Sequence, residues 1–353
     1  MSSASGSKTY VEIAAQPAAL AAAALQLKQQ SDWVDRYLKS GRFDEVIFIG
    51  SGSSYYQAQT MAATYRKWLG KSALALPSSE LYLFRGQHTA LNRNYLVVGV
   101  SRSGESTEVV LALESVQNLS GYTICGITCY EQSTMARLAE CLVSPLGKEE
   151  STVMTKSFSS MTWMMQAAIA SASAHALQHQ ADLEAVVAAD SDVVQRADAF
   201  IQGLVQSEKL NKYIYLGMGA YFGIAQEACL KIKEMSYVWT ESYGTLEFRH
   251  GPKSVVEPGT LVCVLLSEQA RAYELKVAQE MQQYGAYVLI VTAEAGDDTA
   301  FANGVFEVGG RQLSDEARAV LYLPGLQYLG YYTALAKGVD PDSPRNLTQV
   351  VKI

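Results

Sequence analysis

Short apolar runs alternate along this chain with longer segments in which apolar residues recur at helical spacing. The run Glu45–Gly50 leads into the turn Gly50-Ser51-Gly52, and Lys212–Gly217 leads into Gly217-Met218-Gly219, 167 residues later. Apolar runs that alternate with helical patterns predict βαβ units. We therefore expect parallel sheets that are covered by helices on both faces.

The same order of apolar runs occurs twice. Tyr95–Val100, Tyr122–Thr128 and Cys141–Val143 in the first half correspond to Leu261–Leu266, Tyr287–Thr292 and Phe306–Val308 in the second, at an offset of about 165 residues. The predicted helices between the runs are Gln57–Leu69, Glu108–Asn118 and Ser133–Glu140, and then Ala225–Tyr237, Ala270–Tyr284 and Ala317–Gly338. We predict an α/β protein with two doubly wound parallel-sheet domains in tandem.

The repeat also predicts the domain organisation. An N-terminal helical segment covers residues 1–40, the first α/β domain 41–185, a linker helix 186–205, the second α/β domain 206–338, and a C-terminal tail 339–353. The Ala-rich stretch 14–27 is interpreted as a helix rather than a signal peptide, since Pro17 suits a first helical turn. The uncharged stretch 157–181 is rich in Ser, Gln and Thr, which favours a packed helix over a membrane span.

Composition narrows the class of protein. The 353 residues are 49% apolar and 18% charged, which allows a large core, and the net charge of −7 with no basic stripe argues against nucleic-acid and membrane-surface binding. The five cysteines are odd in number and form no CxxC, which predicts reduced, buried thiols in a cytoplasmic protein. No zinc site is predicted at Cys125 and Cys129, because no histidine lies near them.

Two predicted strand-to-helix turns are dense in glycine and serine: residues 50–54 and 101–107. Backbone N–H groups at a helix N-terminus bind anions, and serine hydroxyls add donors. The alternative is that these serines only cap helices. Neither turn has the Gly-Lys-Ser/Thr ending of a P-loop or a third glycine at dinucleotide spacing, so no nucleotide cofactor and no metal are predicted.

Acid–base candidates lie in the second half. Glu227, Lys231 and Glu234 share one face of a largely apolar helix, and His250 lies in the turn Arg249–Lys253. A carboxylate in partly apolar surroundings is a plausible base, whereas the alternative is a solvated ion pair and an incidental histidine.

The chain resembles the tandem sugar isomerase (SIS) domain family over nearly its whole length. Its nearest named groups are the isomerase half of glucosamine-6-phosphate synthase and the tagatose-6-phosphate ketose/aldose isomerases with the amino-sugar-phosphate deaminases. The matching motifs are GSSY at 52–55, SRSGES at 101–106, MTKSF at 154–158, EACLKIKE at 227–234, RHGPKS at 249–254 and PRNL at 344–347. The Glu234-to-His250 spacing is more specific than the serine loops, which occur throughout the family, because family members that only bind ligands need not keep it.

The resemblance implies a phosphosugar enzyme without a cofactor. It implies phosphate binding by Ser53, Ser54, Ser101, Ser103 and Ser106, and substrate contacts by Arg102, Lys156, Arg345 and Asn346. Glu234 would move a proton between C1 and C2 with Lys231 beside it. His250 would assist ring opening from a neighbouring subunit, which implies a homodimer with shared active sites.

The chain departs from the synthase at two points. We expect no glutaminase domain, and the tail lysine that follows Arg-Asn-Leu in the synthase is replaced by Gln349, with Lys352 three residues further. We therefore predict a phosphosugar isomerase or an amino-sugar-6-phosphate deaminase. The alternatives are a ketoamine-6-phosphate deglycase and a non-catalytic phosphosugar-binding protein, either a regulator or a transport subunit.

Overall fold

The computed structural model describes residues 5–351, and two five-stranded parallel sheets form its framework. The strands are β1 (Glu45–Gly50), β2 (Ala73–Pro77), β3 (Tyr95–Val100), β4 (Tyr122–Thr128), β5 (Cys141–Val143), β6 (Lys212–Leu216), β7 (Thr240–Tyr243), β8 (Thr260–Leu265), β9 (Tyr287–Thr292) and β10 (Gly304–Glu307). Together with the helices around them, the sheets confirm the predicted α/β class with two tandem domains.

Fourteen α-helices are present within residues 5–351. They are α1 (Ser7–Ala14), α2 (Gln16–Gln29), α3 (Ser31–Tyr37), α4 (Ser53–Leu69), α5 (Ser78–Leu83), α6 (Arg85–His88), α7 (Thr107–Glu114), α8 (Thr134–Leu138), α9 (Lys156–Ser171), α10 (Ala176–Ser207), α11 (Tyr221–Ser236), α12 (Arg271–Gln283), α13 (Asp315–Arg318) and α14 (Leu323–Ala336). Among residues 5–351, no helix has both the length and the apolar character that a membrane crossing requires.

The described chain divides into two compact units with the same sheet topology. The first unit comprises residues 17–150, 154–184 and 348–351, and the second comprises 5–16, 151–153 and 185–347. The first sheet has the order β2-β1-β3-β4-β5 and the second β7-β6-β8-β9-β10, with every pairing parallel. The repeat of apolar runs in the sequence therefore corresponds to two sheets with the same strand order. The residue boundaries predicted for the domains stay a prediction.

Sequence patterning identified the central strands and missed two at sheet edges. β2 reads Ala-Leu-Ala-Leu-Pro, a short apolar run that the sequence analysis did not assign as a strand, and β7 reads Thr-Glu-Ser-Tyr, which is polar. Both pair on one side only, with β1 and β6 respectively. An edge strand that is partly exposed does not need an apolar run, which explains the omission of β7.

Two helix predictions differ most from the structure. The linker helix predicted at 186–205 is part of α10, which begins earlier, at Ala176. The helix predicted at 317–338 is instead α13, a 3-10 turn over Ala319–Tyr322, and α14. Pro324 lies in the first turn of α14, where a proline needs no backbone partner, and this explains the break.

Glycine is required where each first strand enters its helix. A Cβ added at Gly50 would lie 2.4 Å from the backbone of Ser54, and one at Gly217 would lie 2.5 Å from the carbonyl oxygen of Tyr221. Both contacts are far shorter than real Cβ contacts, so any side chain would push the helix off its strand. The same close approach recurs 167 residues apart, as the repeat predicted.

A buried carboxyl group makes the stability of the second unit depend on pH. Asp190 on α10 is fully buried, and Gln16 donates a hydrogen bond to its Oδ1 at 2.7 Å. Burial raises the pKa of Asp190 from 3.8 to about 7, although the Gln16 bond opposes the rise. The neutral acid is therefore the form that the folded protein prefers.

We expect Asp190→Asn to stabilise the protein increasingly as the pH rises. Between pH 3.8 and about pH 7, Asp190 is ionised in the unfolded chain but neutral in the folded protein. The free energy of unfolding of the wild type therefore falls with rising pH, with a limiting slope of about 1.4 kcal/mol per pH unit. The amide of the Asp190→Asn variant does not ionise, so its free energy of unfolding does not fall in this way. Urea unfolding at pH 5 and pH 8 measures the free-energy difference between variant and wild type, which should grow by about 3 kcal/mol.

Asp192→Asn is the matched control, because Asp192 lies on the same helix but is exposed and paired with Arg196. Its difference from wild type should stay nearly constant between the two pH values. A constant difference for Asp190→Asn as well would contradict the assignment.

Candidate functional site

Two predicted phosphate-binding serines begin the helix that follows β1. Ser53 and Ser54 are the first residues of α4, and Gly52 before them adopts a φ of 57°. Both serines are only about 5% exposed, and neither hydroxyl has a hydrogen-bond partner among residues 5–351. Hydroxyl groups without partners at a helix N-terminus are suited to receive an anion.

The three other predicted serines lie in the loop after β3. Ser101 Oγ accepts a hydrogen bond from the Gly104 N–H at 3.0 Å and lies 3.2 Å from Ser106 Oγ, while Ser103 Oγ accepts from the Glu105 N–H at 3.1 Å. Because β1 and β3 are neighbours in parallel, both loops lie at the carboxyl edge of the first sheet. The structure thus places all five serines at one edge of one unit.

The predicted substrate contacts Arg102 and Lys156 belong to the same unit. Arg102 lies between Ser101 and Ser103, is almost fully buried, and donates to the Glu149 carboxylate at 2.9 Å. Lys156 is the first residue of α9 and is half-buried. A pocket of about 540 Å³ adjoins the loop and is lined by Ser103, Glu105, Tyr130, Glu131, Gln132, Ser133, Lys148, Gln349 and Val350. Lys352 lies outside the described residues.

In the second unit, the predicted base lies at the end of a helix rather than at its start. α11 follows β6 and runs back along the sheet, so its last turn, with Glu234, lies toward the amino ends of the strands. Sixteen residues of helix span about 24 Å, longer than the five-residue strand β6. Glu234 therefore does not lie in a strand-to-helix turn, where ligands of parallel sheets usually bind.

Glu234 belongs to a charge cluster built at helical spacing. The Lys231 ammonium, which is 1% exposed, donates to Glu234 Oε2 and lies 3.4 Å from Oε1 of the fully buried Glu227. Among residues 5–351, Oε1 of Glu234 has no hydrogen-bond partner, and the side chain is 14% exposed. One oxygen is therefore oriented by Lys231, and the other is available to accept a proton.

The tail residues predicted to cover the sugar line a pocket with Glu234. The pocket measures about 480 Å³, and its lining includes Glu234, Tyr237, Trp239, Arg345 and Asn346. The Tyr237 hydroxyl accepts a hydrogen bond from the Arg345 N–H at 2.7 Å, and the Arg345 guanidinium lies 4.3 Å from the centre of the Tyr237 ring. A cation–π contact and a hydrogen bond thus anchor the tail to the end of α11.

His250 does not line this pocket. It is exposed, and its ring makes no hydrogen bond or ion pair within the described part of the chain. Its turn is held by Glu280, which accepts from Arg249 at 2.9 Å and from Lys253 at 2.5 Å. These donors, Lys253 first, lower the pKa of Glu280. Entry of His250 from a neighbouring subunit stays a prediction.

Three residues of the site were not predicted from the sequence. Glu149 has no motif of its own and was found only through its contacts with Arg102 and α9. Tyr237 has a φ of 56° at the end of α11, which a tyrosine rarely adopts, and Trp239 is 80% exposed. The unusual pattern Tyr-Val-Trp after a helix was the only available signal for the latter two.

Comparison with known proteins agrees with this fold. The SIS domain model matches residues 43–171 and 208–303. The chain is 28% identical over 350 residues to the glutamine–fructose-6-phosphate aminotransferase (isomerizing) of Pyrobaculum aerophilum, covering 97% of this chain and 57% of that protein. It spans about half the length of the aminotransferases that it matches.

Two solved structures are similar over nearly the whole chain. The tagatose-6-phosphate ketose/aldose isomerase from Escherichia coli superposes with a TM-score of 0.86 at 24% identity, covering 97% of each chain, and shows a common fold. Glucosamine-6-phosphate deaminase from Thermotoga maritima superposes with a TM-score of 0.73 at 28% identity, covering 94% of this chain and all of that one. The matched family model covers more than half of the chain, and the chain therefore belongs to the SIS domain family.

Proposed function

We propose that this chain moves a proton between C1 and C2 of a ring-opened hexose 6-phosphate, as an aldose/ketose isomerase or an amino-sugar-6-phosphate deaminase. The observation that supports this most is the pocket at the end of α11. There Lys231 orients the Glu234 carboxylate, whose other oxygen has no partner in the described part of the chain, and the pocket lining also includes Arg345 and Asn346. The similar proteins are named for activities on fructose 6-phosphate, tagatose 6-phosphate and glucosamine 6-phosphate.

Each group has a defined task in the proposed reaction. The serines of the first unit hold the phosphate, which fixes the sugar and reduces the entropy cost of the reaction. Glu234 removes the proton from one carbon of the C1–C2 pair and returns it to the other through an enediol. With a 2-amino sugar the intermediate is an enolamine. Protonation at C1 then leaves an imine at C2, which water hydrolyses to a ketose phosphate and ammonia.

A ketoamine-6-phosphate deglycase is the second candidate, and one observation favours it. The pocket around Glu234 also contains Leu230, Val238 and the exposed Trp239, an apolar surface that a sugar alone does not require. A leaving amine larger than ammonia would pack against these side chains. The proton transfer assigned to Glu234 is the same.

A substrate panel tests the activity. We expect at least one member of a set of hexose, amino-hexose and ketoamine 6-phosphates to give product, measured as aldose/ketose interconversion and as ammonia or amine release. Unphosphorylated hexoses are the control and should react far more slowly, because the anchoring anion is missing. No turnover with any member, together with tight phosphosugar binding, would favour a non-catalytic sensor.

Glu234→Gln and Ser103→Ala should separate chemistry from binding. Glu234→Gln removes the base, so turnover is lost while the Kd for the phosphosugar stays within about threefold. Ser103→Ala removes one phosphate donor, so the Kd rises by about tenfold, equivalent to one hydrogen bond to a charged group. Calorimetric titration and initial rates measure both. Full activity of Glu234→Gln would refute the base assignment.

We also propose a cytoplasmic homodimer in which His250 acts on the substrate of its neighbour. Mixing the inactive variants Glu234→Gln and His250→Asn tests this. Random reassociation gives about half heterodimers, each with one intact site, so about a quarter of wild-type activity should return. Each variant mixed with itself is the control. No recovery, with subunit exchange shown by mass, would place His250 in the site of its own chain or outside any site.

A further inference from the structure

One buried carboxylate connects the elements around the serine loops. Glu149 has a fully buried side chain and accepts hydrogen bonds from five donors. Oε1 accepts from the N–H and hydroxyl of Thr155 at 2.6 and 3.0 Å and from the Ser157 N–H at 3.0 Å. Oε2 accepts from the Ser157 hydroxyl at 2.7 Å and from Arg102 Nη1 at 2.9 Å.

The five donors come from two different elements. Arg102 lies in the loop after β3, between two of the predicted phosphate-binding serines. Thr155 and Ser157 flank Lys156 at the start of α9, and their N–H groups are among those that a helix N-terminus leaves without a partner. Glu149 therefore joins the phosphate loop to the helix that carries Lys156.

The first helix of the serine site is connected to the same point. Gln57 on α4 donates to the carbonyl oxygens of Ser157 and Phe158 on α9, at 3.4 and 2.9 Å. Ser53 and Ser54 begin α4. A displacement of the first turn of α9 would therefore change the position of Arg102 through Glu149 and of α4 through Gln57, and so affect both serine loops.

The Glu149 side chain has no exposed surface with which to contact a ligand. A buried carboxylate is costly unless it is paired and hydrogen-bonded, and here one guanidinium and four further donors satisfy it. Glutamine has nearly the same shape, but its NH2 group must face an N–H, a hydroxyl or the guanidinium. The substitution thus replaces attractive contacts by donor–donor repulsion without creating a cavity.

We propose that Glu149 is a positioning residue for phosphate binding, which sets the places of Arg102 and Lys156 without touching the sugar. This inference rests on the proposed function of the serine loops. Part of the phosphate affinity of the site then depends on a residue that does not contact the ligand.

Binding measurements on Glu149→Gln test the proposal. We expect the Kd for inorganic phosphate and the KM for the reactive hexose 6-phosphate to rise by about tenfold or more, with kcat changed by less than about threefold, because one charge-assisted contact network is lost and Glu234 is untouched. A purely structural residue would lower the amount of folded protein but would not split KM from kcat in the remaining active fraction.

Glu274→Gln is the matched control. Glu274 is also fully buried and accepts from the N–H and hydroxyl of Ser267, but it belongs to the second unit. Its variant should leave the phosphate Kd unchanged. Equal weakening by both variants, or unchanged affinity in a folded Glu149→Gln protein, would overturn the proposal.

Two further variants keep the test decisive if Glu149→Gln does not fold. Ser157→Ala and Thr155→Val each remove one hydroxyl donor to Glu149 and should raise the phosphate Kd by about threefold. No change in either folded variant would overturn the proposal. Failure of the wild-type protein to bind phosphate or any hexose 6-phosphate would instead refute the proposed function.

Discussion

Buried N–H groups where a parallel strand passes into a helix must find acceptors, and this constraint shapes both units of the protein. In the second unit, the protein supplies the acceptors itself at the edge where ligands usually bind. Asp315 accepts from the N–H groups of Glu268 and Gln269 at 3.0 and 3.2 Å, and Glu274 accepts from the N–H and hydroxyl of Ser267 at 2.7 and 2.8 Å. Two internal carboxylates therefore occupy the positions that an anionic ligand would take.

In the first unit, Glu105 likewise accepts from the N–H and hydroxyl of Thr134 after β4, but in the described part of the chain the donors after β1 are not taken up by a carboxylate. Glu149 receives the N–H groups at the start of α9, whereas the hydroxyls of Ser53 and Ser54 have no partner among residues 5–351. The two halves thus share a topology and differ in where their carboxylates lie. This difference supports our proposal that phosphate binds to one half alone, although the glycine contacts at Gly50 and Gly217 repeat in both.

The sequence predicted what depends on local pattern. Apolar runs identified eight of the ten strands, and the Gly-Ser turns identified the loops at the carboxyl edge of the first sheet. It missed β7, whose Thr-Glu-Ser-Tyr sequence is polar because the strand lies at an edge. It also missed Glu149, since a carboxylate that accepts from residues 47 positions earlier and eight positions later leaves no periodic signal. Tertiary hydrogen bonds of this kind become visible only in coordinates.

The placement of Glu234 follows from the length of α11. Because α11 is longer than β6, its last turn lies toward the amino ends of the strands. Glu234, the proposed base, therefore lies away from the carboxyl edge, where Asp315 and Glu274 accept the N–H groups. The i, i+3 and i, i+4 spacings then set Lys231 between Glu227 and Glu234. Because Glu227 and Lys231 are buried, Glu234 is the one member of this trio that a ligand in the pocket can reach. The fully buried pair therefore holds a single accessible carboxylate in place, as the proposed proton transfer between two adjacent carbons requires.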